Sequence, residues 1–498
     1  MSEAGSHGKG VVASGHPSVC AAAARLLGEG GNAVDAAIAA GFASATAEPA
    51  LTSLGGGGFL LARGVEGRAT LFDFFVDTPG RGLPPGDLEP HFLPVTVRFP
   101  GSDQVFNTGL GSAAVPGNLK GYLHVHDRLG RLPLPEVLAP AIELAREGIL
   151  LNRHQAYFLE LLRPIMTLTP AGRSLFEPSG SYLGEGDRLV NPDLASFLED
   201  LPANHGRDFY TGALAERIGR DMGSGGGMLT REDLGSFRVV ERAPLEVPYR
   251  GHRLLTNPPP SVGGSLIAFS LELLGRTPPA SSGVDSPDHA VRMIEVMEEV
   301  ARRRLGGGVP CFDRGTTQVS VSDGWGNVAS LTTSNGEGSG YVVPGTGIML
   351  NNMMGEDDLH PEGFFASPPA ERVASMMSPS VLLSGDGDRV RLVLGSGGSK
   401  RIRTALLQVI SSVIDFDLGV RETIERPRLH WDESQVQVEP GFPPEVIEAL
   451  GGRWPVNEWS ERNLYFGGVH AVSPRGEGAG DPRRGGDAAV VETRADRY

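Results

Sequence analysis

The 498-residue chain has only two cysteines, Cys20 and Cys311. So few support neither a disulfide framework nor a thiolate metal cluster. Long apolar runs are also missing, and none approaches the ~18–20 residues that span a bilayer. The opening MSEAGSHGKG lacks a charged stretch leading into an apolar core. No secretory signal is expected, and the expected compartment is the cytoplasm. Basic runs are absent apart from Arg302-Arg303-Arg304. Net charge is −16, from 44 Lys and Arg against 60 Asp and Glu. A nucleic-acid partner needs a basic surface and is disfavoured. The 12 histidines form no ligand cluster with carboxylates, so neither a metal nor another cofactor is expected. No Gly-x-Ser-x-Gly elbow stands in a strand-to-helix setting, and Gly395–Lys400 lacks the spacing of a P-loop. Ser-His-Asp catalysis and nucleotide binding therefore find no support.

What is abundant is turn chemistry: 70 glycines and 38 prolines, spread along the chain. They indicate a turn-rich globular protein. Ser18–Leu27 is Ala/Leu-rich and predicts a helix stopped by Gly28-Glu29-Gly30-Gly31. Asn32 can cap a second helix to about Thr46, with Asp35 in its first turn. Leu54–Leu61 reads as a Gly-rich turn into a strand, further strands are predicted at Thr70–Phe75, Val247–Leu255 and Val390–Leu394, and helices from Ser265 and from Arg401 to Val413. Asp288–Arg304 reads as an amphipathic helix whose His289, Glu295, Glu298 and Glu299 form a charged, solvent-like face. In Thr317–Ser322, Thr317, Val319 and Val321 face one way and Gln318, Ser320 and Ser322 the other. The turn Asp323–Asn327 then returns the chain into Val328–Thr333. This order of elements fits a layered α/β sandwich.

The dipeptide Gly315-Thr316 stands at the mouth of that hairpin. A Thr hydroxyl is a poor nucleophile unless a base is beside it. A Thr at a chain start can use its own α-amine, whose ordinary pKa of roughly 7.7–8 suits a general base. An internal Thr reaches that state only if the preceding bond is cut. Gly before Thr leaves the carbonyl open to attack by the Thr hydroxyl. Gly315-Thr316 is therefore a candidate self-cleavage site, although Gly-Thr before a strand is also ordinary strand chemistry. An acyl-transfer site also needs donors for an oxyanion. Gly397-Gly398, between a predicted strand and a helix, can supply backbone N–H groups.

Several ordered stretches together resemble the γ-glutamyltranspeptidase family of N-terminal-nucleophile hydrolases. They are GEGGNAVDAAIAAGFASATAEP (Gly28–Pro49), LGGGGFLL (Leu54–Leu61), FYTGALAERI, LTREDLGSF and NPPPSVGGS (Asn257–Ser265), followed by the Gly315 hairpin. GTGIMLNNMM (Gly345–Met354), SMMSPSVLL (Ser375–Leu383), LGSGGSKRI (Leu394–Ile402) and GDPRRGGDAA (Gly480–Ala489) complete the set. The resemblance implies a four-layer αββα sandwich made as one precursor. That precursor would cut itself into a large subunit, residues 1–315, and a small subunit, 316–498, intertwined as one domain and partnered as a heterodimer. It implies Thr316 as nucleophile, Gly397 and Gly398 as oxyanion-hole glycines, and Thr333 or Ser334 as support for the new N-terminus. Asn335 and Ser375 match substrate-binding positions. Glu356-Asp357-Asp358 covers an acidic one, with Asp357 favoured. The implied activity is cleavage of γ-glutamyl or related acyl amide bonds through an acyl-threonine ester, hydrolysis being favoured over transpeptidation.

The departures lie in the substrate pocket. Phe75 stands where the family has an Arg that grips the substrate carboxylate, a charge-assisted fork that Phe cannot replace. Met376 replaces the second serine of a pair, Met353 a Gln, and Gln318 a His, and the segment before the nucleophile shrinks to Gly306–Gly315. Two rival expectations follow: an acylase or amidase for a non-glutamyl substrate such as oxamate or an acylated β-lactam, or a catalytically silent relative serving as a binding or assembly module.

Overall fold

The computed structural model describes residues 8–84, 91–99, 102–303, 315–360, 362–385 and 388–492. Cys311, Arg304 and most of the shortened segment before Thr316 lie outside them. Among the described residues, thirteen strands build the two central sheets. In the first half of the chain they are β1 (Lys9–Ser14), β2 (Gly57–Arg63), β3 (Ala69–Phe74), β4 (Val240–Arg242), β5 (Leu245–Tyr249) and β6 (His252–Thr256). The second half supplies β7 (Thr317–Ser322), β8 (Val328–Ser334), β9 (Ser380–Leu383), β10 (Val390–Gly397), β11 (Gly468–Ser473), β12 (Glu477–Ala479) and β13 (Asp487–Glu492). One sheet runs in the order β13-β1-β7-β8-β2-β3-β4 and the other β12-β11-β10-β9-β6-β5. Every pairing in both is antiparallel.

Helices cover the two outer faces. On β7, β8 and β13 lie α1 (Pro17–Gly28) and α2 (Ala33–Ala47), with α3 (Asn118–Leu129) on β3. On the second sheet lie α4 (Gly263–Gly275) and α6 (Arg401–Asp415), with α5 (Pro287–Arg303) against α4. This is the expected αββα sandwich. The cap of α2 is formed as the sequence predicts: Asn32 Oδ1 accepts from the Val34 and Asp35 N–H groups, and Asp35 Oδ2 accepts from Asn32 N–H, all at 2.9 Å. Alanine on both α1 and α2 lets them approach each other and the sheet closely, and all but one residue of α2 is buried.

Two local readings change. Val247–Leu255 is a hairpin rather than one strand, because Arg250 at φ 46° and Gly251 at φ 79° reverse the chain. His289 is buried edge-on against Phe416, with ring centroids 4.9 Å apart, not displayed on a solvent face. The polar face of β7 is also buried. Gln318, Ser320 and Ser322 are fully covered, because the second sheet closes over them. Gln318 Nε2 donates to Ser320 Oγ, Ser330 Oγ and the Val319 carbonyl at 2.9–3.0 Å, and its Oε1 accepts from Thr332 Oγ1 at 2.5 Å. Ser320 and Ser330 then donate across the sandwich to the carbonyls of His470 and Leu394 at 2.8 and 2.9 Å. A polar alternation that ordinarily marks a solvent face here forms a satisfied hydrogen-bond layer between sheets.

Candidate active site

Thr316 directly precedes β7, a strand near the middle of its sheet, and is 5% exposed. The register pairs Thr317 with Thr333, which brings Ser334 alongside the Gly315–Thr316 peptide. Ser334 Oγ donates to the Gly315 carbonyl and accepts from Gly336 N–H at 3.0 Å. The two candidates for supporting the nucleophile are thus separated by strand alternation. Thr333 turns to the helical layer and accepts from Thr52 Oγ1 at 3.0 Å. Of the two alternatives, Ser334 is the hydroxyl that reaches the Gly315 carbonyl.

Gly397, the last residue of β10, lies against Thr316. A Cβ on Gly397 would collide with the Thr316 carbonyl, so only glycine allows the approach. Gly398 has φ 117°, which favours glycine, and it packs on Gly467. The turn closes onto α6, with Arg401 N–H donating to the Gly398 carbonyl at 2.9 Å. Both glycines therefore sit in the strand-to-helix turn beside Thr316, where the sequence placed them.

A cavity opens at Thr316. Its walls are Phe75, Met353, Leu359, Met376, Met377 and Ile402, with polar points at Ser334, Glu356, Ser375 and Ser399. Three residues singled out as departures, Phe75, Met353 and Met376, therefore meet in one place. Phe75 is 1% exposed and stacks on Phe59, ring centroids 5.5 Å apart. Ser375 lines the cavity too. Its Oγ accepts from Met377 N–H at 3.1 Å, and its carbonyl accepts from Ser261 Oγ and the Val262 and Gly263 N–H groups at the start of α4. This tie holds the Ser375–Met377 wall in place.

Two expected residues fall elsewhere. Asp357 is exposed, and Glu356, 6% exposed, is the acid on the cavity wall. A short turn at Met353–Gly355 leads directly into Glu356. Asn335 is buried, but its Nδ2 donates to the Leu350 carbonyl at 3.4 Å, away from the cavity wall. The neighbouring Asn351 and Asn352 instead brace the turn. Asn351 Oδ1 accepts from Ala114 and Met353 N–H, and Asn352 Oδ1 from Glu337 and Gly338 N–H.

No Arg, Lys or His lines this cavity among the described residues. The guanidinium of Arg372 is close in the chain to Ser375 but committed elsewhere. It donates to Asp73 Oδ1 at 2.6 Å, Asp77 Oδ1 at 2.7 Å and the Arg238 carbonyl at 2.8 Å. Nor do the described residues hold any group of three or more His, Cys, Asp or Glu able to bind a metal. No described helix is long and apolar enough to cross a membrane.

The sequence profile described as Gamma-glutamyltranspeptidase matches residues 20–306 and 311–491. The chain belongs to the γ-glutamyltranspeptidase family. It is an enzyme of the γ-glutamyltransferase-like amidohydrolase type, with the N-terminal-nucleophile fold. It is 32% identical to the glutathione hydrolase proenzyme of Escherichia coli (strain K12), over 95% of this chain and 90% of that one. It is 30% identical to the acylase ACY 1 proenzyme of Pseudomonas sp. (strain SE83), over 93% and 90%. Among solved structures it is similar to cephalosporin acylase from Bacillus halodurans, with TM-score 0.83, 26% identity and 98% of each chain covered. The family thus contains relatives named for glutathione hydrolysis and relatives named for acylase activity.

Proposed function

We propose that this chain cuts itself at Gly315–Thr316 and then hydrolyses acyl amides through Thr316. The observation that carries the reading is the hydrogen bond from Ser334 Oγ to the Gly315 carbonyl, beside Thr316 and the Gly397-Gly398 turn. A donor on that oxygen polarises the carbonyl and supports the negative charge that develops there. Thr316 Oγ attacks the Gly315 carbonyl carbon, the C–N bond breaks, and the hydroxyl proton passes to the departing nitrogen. Water then hydrolyses the ester, leaving a Gly315 carboxylate and a free Thr316 amine. The products are residues 1–315 and 316–498. They stay together because β1 to β6 of one interleave with β7 to β13 of the other in both sheets.

In turnover the amine takes the Thr316 proton, the substrate acyl group forms an ester, and water releases it. The substrate class follows from the walls. Five apolar side chains beside Phe75 and a single acid, Glu356, suit an acyl group with an apolar body. With Phe75 in place of a guanidinium, no cationic side chain among the described residues of the wall pairs with a free α-carboxylate. The likeness to proteins named acylases agrees with this preference.

A denaturing gel tests the cleavage. Wild type should give two fragments and Thr316→Ala one full-length band. A Thr316→Ala chain that still splits removes Thr316 from the role. The acyl preference is checked on the matured enzyme with matched p-nitroanilides, and turnover of γ-glutamyl-p-nitroanilide equal to the best acyl substrate would remove the argument from Phe75.

A further inference from the structure

Glu48 is a buried acid that the reaction as described does not use. It is the residue after α2, 4% exposed, and it belongs to the same Glu-Pro that ends the helix in the sequence. Both of its carboxyl oxygens lie 3.0 Å from Thr317 Oγ1. Thr317 is the residue after the nucleophile and the first of β7. A Cβ on Gly15 would meet Glu48 Oε1 at 2.5 Å, Thr317 Oγ1 at 3.0 Å and His470 Nε2 at 3.4 Å, so three side chains converge where β1 ends. His470 Nδ1 accepts from Asp481 N–H at 3.1 Å, which leaves the ring proton on Nε2, facing this cluster.

Arg484 joins from the C-terminal segment. Its Nη1 donates to the Thr316 carbonyl at 3.5 Å, and it lies in the electrostatic field of Glu48 and His470. A second small cavity, separate from the substrate cavity, is lined by His16, Glu48, Ala50, His154, Phe158 and Arg484. Thr316 is thus gripped at its carbonyl by Arg484, and Thr317 at its hydroxyl by Glu48. Both contacts hold the backbone just after the Thr316 Cα, at the start of β7.

We infer that Glu48 is a positioning residue for the nucleophile, acting through the Thr317 hydroxyl to set the start of β7 so that Thr316 addresses the Gly315 carbonyl. Burial raises the Glu48 carboxyl to about 7, against the opposing pull of the Thr317 and Ser44 hydrogen bonds and the Arg484 charge. An ionised acid is costly in this buried setting, which fits a role other than stability. The groups facing it are Arg484 and His470 from the C-terminal segment, His16 from the β1–α1 turn and His154 from the helix Arg153–Met166. The inference rests on the proposed self-cleavage at Thr316.

The test is the rate of self-cleavage after cell-free synthesis of the full chain, read on denaturing gels for wild type, Glu48→Gln, Thr317→Val, Thr317→Ser and the Glu48→Gln/Thr317→Val double variant. Misplacing a reacting group slows a reaction by about tenfold to a hundredfold, and that loss is expected for Glu48→Gln and for Thr317→Val. Thr317→Ser keeps the hydroxyl and should cleave within about threefold of wild type, a rescue that packing alone would not give. The double variant should be no slower than the slower single variant, because one interaction has been removed twice. Cleavage of either single variant at the wild-type rate, or multiplication of the two losses, overturns the inference. If Glu48→Gln is not recovered folded, the Thr317→Val and Thr317→Ser pair decides it alone, and equal rates for the two overturn it. An uncleaved wild type would instead sink the underlying reading of Thr316, and the same gel shows which has failed.

Discussion

Raising the pH should stabilise a Glu48→Gln chain relative to its parent, and the size of the effect follows from one buried carboxyl. The comparison is made on a Thr316→Ala background, so that the chain stays whole. The Glu48 carboxyl moves from 4.5 to about 7 on folding, and burial is the largest cause. Because the folded state holds the proton more tightly, Glu48 favours folding most below pH 4.5. That contribution is lost as the pH rises through the window from 4.5 to 7. At about 1.4 kcal/mol per pKa unit, the loss amounts to about 3 kcal/mol above pH 7. Glutamine never ionises at any pH, and it presents Thr317 with one acceptor oxygen and an NH2 group in place of two acceptor oxygens. With about 2.1 cal/mol/K of unfolding entropy per residue, a chain this long turns that difference into a Tm shift of about 3 °C. Differential scanning calorimetry at one scan rate, from pH 4.5 to pH 8, should show the Glu48→Gln advantage near zero at the acid end, rising to that value and levelling off. Parallel curves would refute the reasoning. A curve of opposite slope would show that Arg484 and Thr317 outweigh burial and hold Glu48 ionised. A variant that is more stable at pH 8 yet slower to mature would also separate positioning from stability.

Further outcomes are expected elsewhere. Phe75→Arg should raise kcat/KM for γ-glutamyl-p-nitroanilide by about tenfold or more, the worth of one charge-assisted carboxylate contact, while lowering it for hexanoyl-p-nitroanilide. No gain on the first substrate would show that the carboxylate site cannot be rebuilt at this position. Asp481→Asn should destabilise the fold by about 3–5 kcal/mol, measured by urea titration on the uncleaved background. Asp481 accepts from Arg428 at 2.6 Å and Arg483 at 3.1 Å, all three side chains being buried; the variant removes the carboxylate that the Arg428 guanidinium pairs with and leaves Arg483 paired with Glu439. Burial pushes the Asp481 carboxyl up, but Arg428 and Arg483 outweigh it and hold it well below the usual carboxylate range. Its contribution is therefore intact at neutral pH and lost only in strong acid. Gln318→Leu should cost about 2–4 kcal/mol in the same titration, because Thr332, Ser320 and Ser330 lose a shared partner between the sheets. A loss under 1 kcal/mol would mean that the hydroxyls find other partners.

Composition, turn residues and periodicity were enough to lay out much of this protein. The capped α2, the β7–β8 hairpin, the Gly397-Gly398 turn before α6 and the ordered stretches that mark the family are local features, set by capping, alternation and backbone freedom within a few residues. Phe75, Met353 and Met376 were legible as departures for the same reason, since each is a substitution inside a recognisable stretch. Their convergence was not legible, because it depends on β3, the turn after Asn352 and the Ser375 segment meeting across the sandwich. Tertiary structure alone put Ser334 rather than Thr333 on the Gly315 carbonyl, since that turns on which face of β8 meets it. It put Glu356 rather than Asp357 on the cavity wall. It also covered the polar face of β7 with a second sheet, reversing the usual meaning of polar alternation. Glu48 was visible only as the end of a helix; its bond to Thr317, 269 residues further along the chain, exists because α2 packs beneath β7. Local backbone chemistry is written in neighbouring residues, whereas a buried carboxyl acquires its role from partners that only the packed layers bring within 3 Å.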